Sequence, residues 1–202
     1  MIGIIDYGMG NIHSVKKALE SMGASVLVTN NSRELEKADK IIFPGVGAFG
    51  DALEELRNRS LDEAIRKHVA SGKIFLGICL GMQVLFEASE ESEGVKGLGL
   101  LKGRVLKFNA ENGLKVPHMG WNQLKIGQRA CPLLKNMPDN ADVYFCHSYY
   151  PQAKDNAIVV ATCDYGINFA AVVMQGNIYG VQFHPEKSQG VGLKIIENFV
   201  KC

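Results

Sequence analysis

The sequence predicts an α/β fold: a mixed, mostly parallel central sheet flanked by helices, with additional antiparallel strands in the C-terminal half. Three observations predict it. In the first half, short apolar runs alternate with stretches of helical periodicity, the order that strand–helix–strand units impose. Those runs are continuously apolar, as strands covered on both faces are. In the second half, strand-like runs follow one another with short turns between them, which suits antiparallel pairing.

The elements follow in order. "IGIID" (2–6) is a buried strand that ends in a turn at Asp6-Tyr7-Gly8. In "NIHSVKKALESMG", Ile12, Val15, Leu19 and Met22 recur at helical spacing, with Asn11 placed to cap and Gly23 to terminate. "ASVLVT" (24–29), "ADKIIFPG" (38–45) and "KIFLGIC" (73–79) give the second, third and fourth strands. Between the last two, "FGDALEELRNRSLDEAIRKHVASG" reads as helix. "RVLKF", "ADVYFCHSYY", "NAIVVATC", "FAAVVMQ" and "NIYGVQFH" read as strands, with "QGNIYG" as a hairpin turn region. "QGVGLKIIENFVKC" closes the chain as a helix, with Leu193, Ile196 and Phe199/Val200 facing inward.

The 202 residues suit one domain, 1–202, with a core that needs no staples. No linker, repeat or low-complexity segment interrupts them. Apolar residues at 47% and charged residues at 21% are ordinary for a soluble globular protein. The formal net charge is +1 and no Lys/Arg block stands out. A nucleic-acid or anionic-membrane partner therefore has no electrostatic support. The five cysteines are odd in number, widely spaced and without a CxxC pair. That argues against a disulfide framework or a zinc site, and for a reducing compartment. "MIGIIDYGMG" has no basic region and reaches Asp6 too soon for a signal peptide. No apolar run approaches the roughly 20 residues of a bilayer span. A cytoplasmic protein is expected.

In an open α/β sheet, active sites lie at the carboxyl ends of strands, and Cys79 falls at such an end. Gly77-Ile78-Cys79-Leu80-Gly81 has the small-x-nucleophile-x-small form of a nucleophile elbow. Its glycines let the backbone turn tightly. A helix starting at about Leu80 aims free N–H groups and its dipole at a thiolate and a nearby oxyanion. Taken alone, the string also fits a buried apolar cysteine.

A thiol nucleophile needs a base. Of the five histidines, His184 in "YGVQFHPEKS" is the best placed: Pro185 stops its strand, and Glu186 follows two residues on. In extended chain His-x-Glu points both side chains the same way. The carboxylate can then hold the tautomer and orientation of the imidazole. Taken alone, the tripeptide also fits a capped strand end with a solvated Glu186. His68 reads as a surface residue and His13 lies near a helix start. His118 and His147 lie beside "MGW" and "SYY", where they can line a pocket or an interface. "FPGVGAFG" (43–50) ends the third strand with glycines that let backbone N–H groups face a neighbouring site, as an oxyanion hole requires. It also fits a phosphate-binding loop or a plain turn. "DYGMGN" lacks the third glycine of a dinucleotide fingerprint, since His13 stands in its place.

Together "PGVGAF", "GICLGMQ" and "GVQFHPEKS", in that order, resemble the class I (triad-type) glutamine amidotransferases, whose fold is flavodoxin-like. With "DYGMGN", "VPHMGWN" (116–122) and "HSYY" (147–150), the resemblance covers nearly the whole chain. It narrows to the glutaminase subunits of imidazole glycerol phosphate synthases. By matching positions it implies that Cys79 is the nucleophile, His184 the general base and acid, and Glu186 the orienting carboxylate. Backbone N–H groups of Leu80 and of Gly45, Val46 and Gly47 would form the oxyanion hole. Gln83, Glu91, Ser148 and Tyr149 would bind L-glutamine. Trp121, Tyr144 and Lys187 would meet a barrel-type cyclase (synthase) subunit, the heterodimer partner that receives the ammonia. The resemblance implies no metal and no organic cofactor, and makes the PGVG loop a gate in which one peptide rotates.

Three rival readings make different demands. A paralogue serving surface-polysaccharide biosynthesis would have another partner. A stand-alone cysteine hydrolase of γ-glutamyl peptides would be active without one. A flavodoxin-like binding module would keep its function after Cys79→Ala.

Overall fold

The computed structural model describes residues 1–8, 10–110 and 114–202. Met9, inside the "DYGMGN" string, lies outside the described residues. The elements are β1 (Ile2–Ile5), α1 (Ile12–Glu20), β2 (Val26–Thr29), α2 (Ser32–Leu35), β3 (Lys40–Gly45), α3 (Phe49–Asn58), α4 (Leu61–Ala70), β4 (Ile74–Cys79), α5 (Leu80–Gln83), β5 (Ala88–Ser89), β6 (Gly103–Lys107), β7 (His118–Gln123), β8 (Lys125–Ile126), β9 (Asp142–His147), β10 (Tyr149–Ala153), β11 (Val159–Asp164), β12 (Asn168–Gln175), β13 (Ile178–Val181) and α6 (Gln189–Lys201).

Among the described residues the central sheet has the order β2-β1-β3-β4-β13-β12-β11-β8. The strands from β2 to β13 pair in parallel, and β12, β11 and β8 continue the sheet antiparallel. The expected mixed, mostly parallel sheet with added antiparallel strands is therefore the observed one. Alternation along each strand feeds two cores, one per face. Ile2 and Ile4 of β1, Ile42 of β3, and Leu76 and Ile78 of β4 pack with α1 and α6 through Val15, Leu19, Ile195, Ile196 and Phe199. Ile5, Ile41, Phe43 and Phe75 point the other way, toward Leu53, Leu56, Leu61 and Ile65 of α3 and α4. No helix among the described residues is long and apolar enough to cross a membrane.

Several local expectations need correction. The stretch 49–72 is two helices, because Ser60 takes a left-handed conformation (φ 54°) that ends one axis and starts another. "ADVYFCHSYY" breaks at Ser148: β9 pairs with β7, whereas β10 joins β6 and β5 in a separate sheet. The start of "NAIVVATC" is a short 3-10 turn over Asn156–Ile158. Asn11 makes no side-chain cap on α1. Leu193 is 44% exposed, and Ile195 takes the inward position instead. His68 is 4% exposed, not a surface residue. Its Nε2 lies 3.0 Å from Ile74 O, pinning α4 to the start of β4. Burial, ahead of the other influences, lowers its pKa.

Candidate active site

β4 ends at the thiol. Cys79 has φ 53° and ψ −109°, a backbone state that an L-residue with a Cβ resists. The sharp turn survives because its flanks carry no side chain. A Cβ on Gly77 would meet Gly81 O at 2.3 Å, and one on Gly81 would meet Phe43 O at 1.9 Å. α5 beyond the bend is one turn of four residues. Its contribution at Cys79 comes from the first N–H groups, including that of Leu80, rather than from a long dipole.

His184 arrives from the neighbouring parallel strand. β13 pairs with β4 over Ile178–Val181, and the chain then bends inward. The sequence places His184 at a strand end and aligns it with Glu186 by strand alternation. Both points are corrected: β13 stops at Val181, and His184 precedes a 3-10 turn over Pro185–Lys187. The turn brings the side chains together, with His184 Nδ1 2.9 Å from Glu186 Oε1. The two side chains are 4% and 2% exposed. Among the described residues, Glu186 Oε2 is buried without a hydrogen-bond partner. The turn is braced against β9: His184 N–H donates to Tyr144 O at 2.9 Å, while Ser188 Oγ donates to His184 O at 2.7 Å and accepts from Tyr144 N–H at 2.9 Å.

Burial pushes the His184 imidazole down, but hydrogen bonding and charge from Cys79, then from Glu186, outweigh it and raise the pKa to about 10. The imidazolium is thus held between a sulfur and a carboxylate.

The thiol opens onto a cavity of about 320 Å³ lined by Val46, Gly47, Cys79, Leu80, Gln83, Glu91, Pro117, Cys146, His147, Ser148, Tyr149, His184 and Lys187. Of the candidate residues, Gly45 is buried and outside the cavity lining, opposite Cys79 in the β3–β4 register. Glu91 Oε2 accepts the Phe49 N–H at 2.8 Å. Burial raises the Glu91 pKa, partly opposed by that N–H. The Val46 N–H is directed to the Tyr7 hydroxyl, 3.0 Å away. Trp121 and Tyr144 lie outside the cavity lining and sit opposite each other in the β7–β9 pair, with ring centroids 6.1 Å apart. Lys187 Nζ lies 5.7 Å from the centroid of Tyr144. Trp121 is 48% exposed, so the three form one surface running from the cavity rim.

Sequence reasoning missed Gln182. It is fully buried, its Nε2 lies 3.6 Å from Cys79 Sγ, and its Oε1 accepts from Gln83 Nε2 at 3.1 Å. Its place two residues before His184 was the available signal. His147 and His118 are both buried, with His118 Nδ1 3.2 Å from His147 Nε2. Burial lowers His118 to about 4 and His147 to about 3. His147 reaches the cavity; His13 is exposed. No group of three or more His, Cys, Asp or Glu side chains among the described residues is disposed to hold a metal ion.

A cysteine elbow on a parallel sheet, facing a buried histidine–carboxylate pair, is the arrangement of cysteine-dependent amide hydrolases and acyl-transfer enzymes. Comparison with known proteins gives the particular family. The family model for glutamine amidotransferase class-I matches residues 3–202. The chain is 52% identical to the Imidazole glycerol phosphate synthase subunit HisH of Methanocaldococcus jannaschii, covering 100% of this chain and 99% of that protein. It is 49% identical to the subunit of the same name from Bacillus subtilis, covering 100% and 96%. Among solved structures, that of PurLQS from Thermotoga maritima superposes with a TM-score of 0.79 at 23% identity, covering 99% of this chain and 97% of that one. The chain thus belongs to the class-I glutamine amidotransferases and, within them, to the HisH family.

Proposed function

We propose that this chain, one amidotransferase domain over 1–202, is a cytoplasmic glutaminase subunit of imidazole glycerol phosphate synthase. It hydrolyses L-glutamine and passes the ammonia to a (β/α)8 barrel cyclase subunit, its heterodimer partner. That partner makes imidazole glycerol phosphate and aminoimidazole carboxamide ribotide in histidine biosynthesis. The observation that carries this reading is the Cys79 elbow beside the buried His184–Glu186 pair at 2.9 Å, in a chain of the HisH family.

The chemistry runs in two halves. The Cys79 thiolate attacks the side-chain amide carbon of glutamine, and negative charge develops on the carbonyl oxygen. N–H groups of Leu80 and of the Gly45-Val46-Gly47 loop stabilise that charge. The His184 imidazolium gives its proton to the leaving nitrogen; the C–N bond breaks, ammonia departs and a thioester remains. Neutral His184 then takes a proton from water, which attacks the thioester, releasing glutamate and the thiolate. Glu186 holds the ring throughout and stabilises its charged form. Gln83, Glu91, Ser148 and Tyr149 hold the head or side chain of the substrate. No metal or organic cofactor takes part. Ammonia escaping to bulk water at neutral pH is protonated and no longer a nucleophile. Trp121, Tyr144 and Lys187 therefore belong to the surface that seals the partner over the cavity.

Glutamate release tests this. The chain is assayed alone, then with the barrel synthase and its phosphorylated substrate, with Cys79→Ala as control. Stimulation by the liganded barrel that Cys79→Ala abolishes supports the proposal. High activity of the chain alone, or none with the barrel, refutes it.

A further inference from the structure

The Tyr7 hydroxyl reaches from the end of β1 to the loop after β3. It donates to Val46 O at 2.8 Å and accepts the Val46 N–H at 3.0 Å. One side chain thereby holds the two peptide groups on either side of the Val46 Cα. Tyr7 is 1% exposed and packs edge-on against Phe43, with ring centroids 5.0 Å apart. Burial pushes its phenol pKa up, the bond with Val46 lowers it, and the charge of Cys79 adds to the rise. The hydroxyl therefore stays protonated and able to donate. Val46 is otherwise open: the residue is 39% exposed, and it lines the cavity with Cys79, whereas Tyr7 does not. The Val46 N–H thus points at a buried phenol and away from the reaction space.

Thiol attack on an amide needs N–H donors aimed at the developing oxyanion. Leu80 supplies one from the elbow. Gly45 faces Cys79 in register, so Val46 carries the first loop amide beyond that point. That amide is already spent on Tyr7. The far end of the loop is tied separately, by the Phe49 N–H on Glu91. Rotation is left to the short span between, where Gly47 has φ 99° and no Cβ to hinder it.

We propose that Tyr7 is a positioning residue that latches the Val46 peptide with its N–H turned away from the oxyanion, so that full glutaminase activity requires breaking its bonds to Val46. The proposal rests on the glutaminase reading above. A partner seated over the exposed Val46 side chain would act by making the unlatched loop the more stable one.

Tyr7→Phe removes the latch and keeps the ring. Glutamate release by the chain alone should rise about five- to tenfold, the shift that loss of both bonds allows when each is worth the low end of an ordinary hydrogen bond. Barrel-stimulated kcat should change little, so the stimulation ratio falls, and KM should stay within about twofold. An unchanged ratio, or equal losses with and without the barrel, overturns the latch and leaves the glutaminase reading standing. Absence of Cys79-dependent glutaminase with the barrel overturns both. Amide hydrogen exchange on the wild-type chain gives a second test that needs no variant. The Val46 amide should be protected in the free chain and lose protection in the complex with barrel and substrate. Exchange at the rate of an open loop amide in the free chain overturns the latch.

Discussion

Gln182 Nε2 lies 3.6 Å from Cys79 Sγ, with Gln182 fully buried behind a thiol that is 6% exposed. The other end of the same amide is held by Gln83, which also donates to Tyr149 O at 2.9 Å. A neutral donor is thus aimed at the sulfur by groups that have nowhere else to turn. A hydrogen bond to a charged acceptor in a dry site is stronger than one to a neutral acceptor. Gln182→Leu keeps the volume and removes the donor. It is expected to lower kcat/KM for glutamine about 10- to 100-fold. It should also change the rate of Cys79 alkylation by iodoacetamide at a fixed pH. An unchanged alkylation rate would reduce Gln182 to packing.

The His184 imidazole links the site to stability. Its folded pKa, about 10, exceeds the ordinary value of 6.5. The folded chain therefore holds a proton between pH 6.5 and 10 that the unfolded chain has released. That stabilisation is fully present below about pH 6.5 and is lost as pH rises toward 10, at up to about 1.4 kcal/mol per pH unit. Cys79→Ala removes the largest influence that raises the pKa. Urea unfolding across this range should show a falling limb in the native chain and a flatter one in the variant.

The buried pair His118 and His147 act in the opposite direction. Burial holds them near 4 and 3, below their ordinary 6.5. Here the unfolded chain binds the extra protons. Stability is retained above about pH 6.5 and lost as pH falls toward 4, again at up to about 1.4 kcal/mol per pH unit for each ring. His118 stacks on Tyr165 and Phe145, with centroids 3.9 and 4.6 Å away. His118→Phe keeps an aromatic there and removes one titration. The acid limb of the unfolding free energy should become shallower by about one proton; an unchanged slope would mean that the ring is not buried neutral.

How much of this was legible depended on the range of the interaction. The strands β1 to β4 were readable because apolar runs bounded by glycine, asparagine and serine are local signals. Cys79, His184 and the PGVG loop were readable because each sits in a short string with a steric reason behind it. The break at Ser60 was not: a serine in the left-handed region inside a helical pattern is imposed by how α3 and α4 pack on the sheet. His68 sits in a run as charged as any surface helix, and only its bond to Ile74 O explains why it is inside. His184 and Glu186 do pair, but strand alternation is the wrong reason, since a turn braced by Ser188 aligns them. Tyr7 meets Val46 across two strands, and no local string contains that contact.

The elbow itself gives the last prediction. Gly81 lies where α5 crosses beneath β3, and a Cβ there would stand 1.9 Å from Phe43 O. That atom is sheet backbone, so it cannot swing aside as a side chain would. Gly81→Ala must push α5 away from β3 and carry Leu80 and Cys79 with it. The cost is expected at about 3 kcal/mol or more, and a fall in Tm of about 6 to 12 °C follows for a chain of this size. Differential scanning calorimetry reads it directly. The displaced Leu80 N–H should depress kcat below the loss that KM reports, because an oxyanion donor acts on the transition state and not on bound glutamine. A Gly81→Ala chain with native Tm and native kcat would show that the elbow tolerates a side chain, and the strained Cys79 backbone would need another support.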